Sequence, residues 1–215
     1  MSISPIAPTP PYTALIFDCD GTLADTLSLH YKAWSESVQV FGAHMEREWY
    51  YNRTGISTVE LIQILNATYG YQLDVEQVKT EKNRRYRQLL HTVKEIQPVA
   101  EIVRTNYGKV PMAIASGGSR YNIQTTLKAI RLTNFFDSTI AIEDVALGKP
   151  APDIFLLAAQ KLKVKPSECI VYEDSNVGLE AAQLAGMRGI DVRSVLKHLE
   201  ATTSLIQTDS QNLVP

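Results

Sequence analysis

From Pro98 onward the chain alternates between short apolar runs that end in glycine or acid and amphipathic stretches of helical period. "VPMAIASGG", "STIAIED", "ECIVYEDS" and "MRGIDV" read as strands; "SRYNIQTTLKAI", "APDIFLLAAQKL" and "NVGLEAAQLAG", closed by Gly186, read as helices. This alternation constrains the fold more than any other feature. Strands joined through helices run parallel, and a parallel sheet needs helices on both faces. "TALIF" near the N-terminus is a continuous apolar run, suited to a strand buried on both faces, and it belongs with this half. The expected class is α/β, a doubly wound, Rossmann-like parallel sheet.

Between Thr26 and about Thr92 the strand signal almost disappears. Leu27, Tyr31, Trp34, Val38 and Phe41 recur at steps of four and three, a helical stripe. "STVELIQILNATYG" opens on a Ser57 cap with Glu60 three residues later and ends near Gly70. "DVEQVKTEKNRRYRQLLHTV" is a further helix, capped by Asp74. The expected organisation is therefore an α/β core from residues 12–25 and 96–215 with an inserted all-helical cap, 26–95. Residues 1–11 are proline-rich, carry no lysine or arginine, and are expected to form a disordered leader without signal-peptide character.

The chain has 215 residues, enough for one domain with a small insert. Its net charge of −2 gives no field that would recruit nucleic acid or an anionic membrane. No apolar run approaches the roughly 20 residues that span a bilayer. Cys19 and Cys169 have no metal-ligand spacing and read as reduced thiols. A cytoplasmic protein follows as the expectation, with no nucleic-acid or membrane partner. No apolar stripe calls for a second subunit, so a monomer is expected.

Open parallel sheets bind ligands beyond the carboxyl ends of their strands. There the sequence places Asp18, Asp20 and Thr22 after the first strand, and Ser116, Gly117 and Gly118 after the next. Glu173 and Asp174 end a later strand, and Lys149 precedes a helix in "GKPAPD". Four carboxylates in one crevice repel, and one lysine does not offset them. Oxygen-only ligands favour Mg²⁺, which keeps positions for water and a phosphate oxygen. Ser116, Thr22 and the amides around Gly117 and Gly118 suit phosphate oxygens at a helix N-terminus, and Lys149 adds a point charge. Asp18 and Asp20, at i and i+2, project to one side of an extended chain. One can attack phosphorus while the other handles the leaving group's proton. A small phosphorylated metabolite is the expected partner.

These four segments, "DCDGT", "IASGGS", "GKPAPD" and "EDSNVG", resemble in order the motifs of the haloacid dehalogenase superfamily. "DGTLADT" followed by a helical insert is similar to the group with a small helical cap, which includes β-phosphoglucomutase and sugar-phosphate phosphatases. Within it, the chain most resembles bacterial phosphatases acting on fructose 1-phosphate and 6-phosphogluconate. The resemblance implies Asp18 as nucleophile. It implies Asp20 as acid and then base, with its backbone carbonyl on Mg²⁺. Asp174 would ligate the metal, with Glu173 beside it directly or through water, and Ser116 and Lys149 would hold the phosphoryl group. His30 and Lys82 match cap residues of the mutase that reach towards the substrate.

The alternative is a β-phosphoglucomutase-type transferase. Thr22 completes "DGT", the form usual in the phosphatases, where the mutase has an apolar residue. The mutase's cap loop carries an arginine for a second phosphate. In "RTGISTVEL" the matching position is Thr58, with Arg53 nearby but offset. Both points favour phosphatase. A non-catalytic protein would lack one of Asp18, Asp20, Lys149 or Asp174, and all are present. A dehalogenase would gain nothing from the acid cluster. Hinges are expected near Ala24–Leu27 and Val93–Pro98, letting the cap close over the site.

Overall fold

The computed structural model describes residues 5–54 and 56–195; the last part of the expected core, 196–215, and the start of the expected leader, 1–4, lie outside them. Strands β1 (Ala14–Phe17), β2 (Met112–Ala115), β3 (Ser138–Ile140), β4 (Cys169–Glu173) and β5 (Arg188–Asp191) form a parallel sheet in the order β3-β2-β1-β4-β5. Register runs Phe17 to Ile114 on one side of β1 and Phe17 to Tyr172 on the other. β1 is thus central, which is why "ALIF" is buried throughout.

Two apolar layers show the double winding. Leu15 and Phe17 turn to one face with Met112, Ile114, Ile170 and Tyr172. Over them lie α5 (Gln97–Asn106) and α6 (Arg120–Ala129), through Val99, Val103, Ile123 and Leu127. Ala14 and Ile16 turn to the opposite face with Ala113, Ala115 and Val171, under α7 (Asp153–Leu162) and α8 (Asn176–Leu184). That second layer is alanine-rich, with Ala158, Ala159, Ala181 and Ala182 from the helices. Small side chains let α7 and α8 approach the sheet closely.

Between β1 and β2 lie α1 (Leu27–Val40), α2 (Arg47–Tyr51), α3 (Thr58–Tyr69) and α4 (Val75–Leu89), with a 3₁₀ turn at Leu90–Thr92. They share an apolar cluster of their own around Trp34, Val38, Ile62, Leu65 and Val78. The expected caps are present: Ser57 accepts from the Glu60 amide and Asp74 from the Gln77 amide. Gly70 ends α3 at φ +72°, the left-handed turn glycine adopts without strain. The entry and exit of this block are tied to each other, the Asp25 amide to the Lys94 carbonyl (2.9 Å) and the Ile96 amide to the Leu23 carbonyl (2.8 Å).

Two elements went unassigned in the sequence. α2 is a single short turn. α5 was hidden behind Pro98, which sits at its N-terminus, where the missing amide costs nothing. The leader expectation needs correcting for its described part. Ile6 is fully buried, and its carbonyl accepts from the Tyr172 hydroxyl at 2.9 Å. Arg188 donates to the carbonyls of Thr9 and Pro11, both at 2.7 Å. Proline content argued for disorder, but one apolar anchor and a buried phenol needing an acceptor hold the segment on the core.

Candidate active site

The chain leaves β1 for β2 and β3 on one side, then returns for β4 and β5 on the other. The crevice where these halves diverge lies beyond the ends of β1 and β4. Asp18 follows β1, and Glu173 and Asp174 close β4, so the topology itself brings them together. One oxygen of each of these three lies within 4.8 Å of the others. All three residues are buried.

Lys149 lies between two of them. Its ammonium donates to Asp18 Oδ1 and Glu173 Oε2, both at 2.7 Å, and its side chain is only 4% exposed. Glu173 Oε1 accepts from the Asp174 amide, the Ser175 amide and the Ser175 hydroxyl. Thr22 donates to Asp174 Oδ1 at 2.9 Å. Burial, with repulsion from Glu173 and Asp174, raises the Asp18 carboxyl well above the usual range despite Lys149. Burial and Glu173 push Asp174 up to about 7. The carboxylates together raise Lys149 against its own burial. This is a site with more negative charge than its one lysine neutralises.

Two glycines make the close packing of these acids possible. Gly21 sits at φ +86°, and a Cβ there would come within 2.3 Å of Asp174 Oδ2. A Cβ on Gly178, in the first turn of α8, would fall 2.0 Å from Glu173 Cδ.

Asp20 turns away from this group. Its Oδ1 accepts from the Tyr86 hydroxyl at 3.2 Å and lies 3.2 Å from His30 Nε2. Burial works to raise the Asp20 carboxyl, but His30, the Thr26 hydroxyl and Lys82 outweigh it and hold it well below the usual range. Burial and Lys82 lower the His30 imidazole against the pull of Asp20. Lys82 is itself pulled down to about 8 by burial, although Asp20 opposes this. Its ammonium stands 5.5 Å from the Trp34 ring and 5.0 Å from the Tyr86 ring.

The expected site residues Asp18, Asp20, Glu173, Asp174, Ser116, Gly117, Lys149, His30 and Lys82 all line one cavity of about 400 Å³ between core and helical insert. Ser116 is buried and accepts from the Gly118 amide at 3.2 Å, which shapes the turn into α6. Thr22 is placed differently from the phosphate-binding position expected for it. It is fully buried, and its hydroxyl is committed to Asp174. The turn at Gly21 directs it towards the acid cluster and not into the cavity. Arg53, set aside in the sequence as offset, does line the cavity, its guanidinium 4.3 Å from the Trp49 ring. Tyr86 was missed altogether. The available signal was its place four residues after Lys82, which puts both on one face of α4.

Residues 15–192 match the family model of haloacid dehalogenase-like hydrolases. The chain belongs to this family. Fructose-1-phosphate phosphatase YqaB of Escherichia coli is 35% identical over 182 residues, covering 85% of this chain and 97% of that protein. β-Phosphoglucomutase of Bacillus subtilis is 28% identical over 207 residues, covering 93% and 92%. The crystal structure of a CbbY mutant from Rhodobacter sphaeroides, in complex with xylulose-(1,5)bisphosphate, aligns with a TM-score of 0.78 at 28% identity over 84% of this chain and 86% of that one. Its relatives place this haloacid dehalogenase-like protein among the phosphoric monoester hydrolases. Among the described residues no helix is long and apolar enough to cross a membrane.

Proposed function

We propose that the chain is a Mg²⁺-dependent phosphatase of small sugar phosphates that works through an aspartyl-phosphate on Asp18. One observation carries the reading: Asp18, its Oδ1 held by Lys149, faces a cavity that also holds the acid cluster, the Ser116–Gly118 turn and Asp20. The donor set fits the metal. It is oxygen only, its three carboxylates lie within 4.8 Å, and its charge exceeds that of Lys149. Asp18 and Asp174 would hold the ion with the Asp20 backbone carbonyl, and Glu173 directly or through water. Bound Mg²⁺ supplies charge neutralisation, for the acid cluster and for the phosphoryl oxygens.

The chain's own residues do the rest. Ser116, Lys149 and the amides of the Gly117–Gly118 turn bind phosphoryl oxygens. The free oxygen of Asp18 attacks phosphorus as the bond to the substrate oxygen breaks. Asp20, its proton affinity raised by the arriving dianion, gives a proton to the leaving alkoxide and later takes one from the attacking water. The transition state is loose, so positioning and electrostatics supply most of the rate. A cavity of about 400 Å³ suits a small metabolite and not a folded phosphoprotein. The similarity to a fructose-1-phosphate phosphatase supports the substrate class.

The test is phosphate release from a panel of sugar phosphates with Mg²⁺. Asp18→Asn should remove it while the circular dichroism spectrum and melting curve stay native. A variant that keeps most of the rate shows the nucleophile to be elsewhere. A mutase is the second reading, favoured by Arg53 in the cavity wall, where a second phosphate could sit. It predicts interconversion of hexose phosphates, with a bisphosphate activator, faster than release of inorganic phosphate.

A further inference from the structure

Resting on the phosphatase reading, we propose that Arg53 and Glu143 pair across the cavity when substrate is bound, which makes the site one for monophosphates and not for bisphosphates. Arg53 belongs to the helical insert. Glu143 belongs to the core, in the 3₁₀ turn Ile142–Asp144 that follows β3. Both line the cavity of about 400 Å³. Glu143 is exposed and Arg53 half-buried, so both stand where the cavity meets solvent.

The charges in the cavity wall single these two out. Lys149 holds Asp18 and Glu173, Lys79 is paired with Glu76 at 3.2 Å, and Lys82 lies in the field of Asp20. Arg53 has no carboxylate. Its guanidinium rests 4.3 Å from the Trp49 ring and donates to the Trp49 carbonyl at 3.0 Å. Glu143 has no cationic side chain. Its two oxygens accept from the Arg120 amide, at 3.3 and 3.1 Å, while the Arg120 guanidinium goes to Asp144. Outside the acid cluster, and among the described residues, Arg53 and Glu143 are the cation and the carboxylate of this wall that lack an ionic partner.

Glu143 is the fixed member. The Ile142 amide donates to the Gly118 carbonyl at 3.2 Å, and the Ala141 amide to Asp144 at 2.8 Å. The carboxylate is thus stapled beside the turn proposed to hold the phosphoryl group. Arg53 is the adjustable member, a long side chain resting on a ring face and a carbonyl, both modest partners for a guanidinium. A substrate that fills the cavity displaces water from between the two charges and strengthens their attraction. The consequence is a substrate class. A bisphosphate needs a cation for its distal phosphate. With Arg53 committed to Glu143, that phosphate meets a carboxylate instead. A sugar monophosphate presents only hydroxyls there, and the pair closes over it.

The experiment measures kcat/KM for phosphate release from fructose 1-phosphate and from fructose 1,6-bisphosphate, in the full-length protein at saturating Mg²⁺. The wild type should prefer the monophosphate. Glu143→Gln keeps an acceptor for the Arg120 amide and removes the charge. It should lower kcat/KM for the monophosphate by about threefold to fivefold, the size of a solvent-facing ion pair, and raise it for the bisphosphate by about fivefold. Arg53→Gln should give the same loss on the monophosphate and no gain on the bisphosphate. The double variant should lose no more on the monophosphate than either single one, as expected of residues acting together. Raising the salt to about 0.5 M should shrink the difference between wild type and Glu143→Gln on the monophosphate, since exposed pairs are screened. Glu143→Ser, whose hydroxyl is also an acceptor, serves if Glu143→Gln does not fold. Additive losses in the double variant, an unchanged ratio of the two esters in Glu143→Gln, or a wild type that takes both esters equally overturns the pair while leaving the phosphatase reading intact. A wild-type protein that hydrolyses neither ester overturns that reading, and this inference with it.

Discussion

At the residue scale, Thr22 and Asp174 form a pair whose effect reaches the proposed metal site. The Thr22 hydroxyl donates to Asp174 and to nothing in the cavity, so it acts on the proposed metal ligand. Thr22→Val should weaken Mg²⁺ binding by about 10–100-fold, the usual effect of removing a partner of a ligand, with a smaller change in substrate KM at saturating metal. Titration of activity against Mg²⁺ separates the two. Asp174, raised to about 7, must be deprotonated to ligate. Mg²⁺ affinity should therefore fall as pH drops from about 7.5 to about 5.5, measured by calorimetry. Lys82 gives the opposite flank. Its ammonium, lowered to about 8, is lost as pH rises through that value. KM for a sugar phosphate should increase between about pH 7 and pH 9, and Lys82→Met should raise KM at neutral pH and flatten the dependence.

At the scale of elements, the strand ends work because helices begin close against them. Gly178 opens α8 directly over Glu173, and the absent Cβ is the room the carboxylate occupies. Gly178→Ala should destabilise by about 1–3 kcal/mol, as overpacking does, and displace Glu173 from Lys149. The check is a lowered Tm together with a loss of activity larger than the stability change accounts for. β1, α3, α4, α6 and α8 were each legible in the sequence from period, cap or stop signal. α5 was not, because proline reads as a breaker until its position at a helix start is known. Ile6 was not, because a single apolar residue among prolines has no period. Tyr86 belonged to a helix correctly placed, but helix periodicity cannot say which neighbour its hydroxyl meets.

For the whole molecule, the cavity exists only when the helical insert lies over the sheet edge, since Asp20 and Lys149 come from the core and His30, Lys82 and Arg53 from the insert. The two connections between sheet and insert are bonded to each other. Metal binding to the acid cluster should stabilise the native state by mass action, about 2.7 kcal/mol when Mg²⁺ is about 100 times its Kd. Thermal melting with Mg²⁺ or with EDTA measures this, and the gain should shrink in mildly acidic buffer as Asp174 is protonated.

The sequence by itself determined the parallel sheet, the helical insert and the identity of the acids, because those rest on local patterns: period, caps, and charged residues at strand ends. Only the tertiary structure decided the direction each side chain takes. Gly21 turns Thr22 to Asp174 through a positive φ, and α4 and α1 bring Tyr86 and His30 to one oxygen of Asp20. Those outcomes depend on how residues distant in sequence pack, a contact between Asp20 and Tyr86 spanning 66 positions, and no spacing within one segment encodes it.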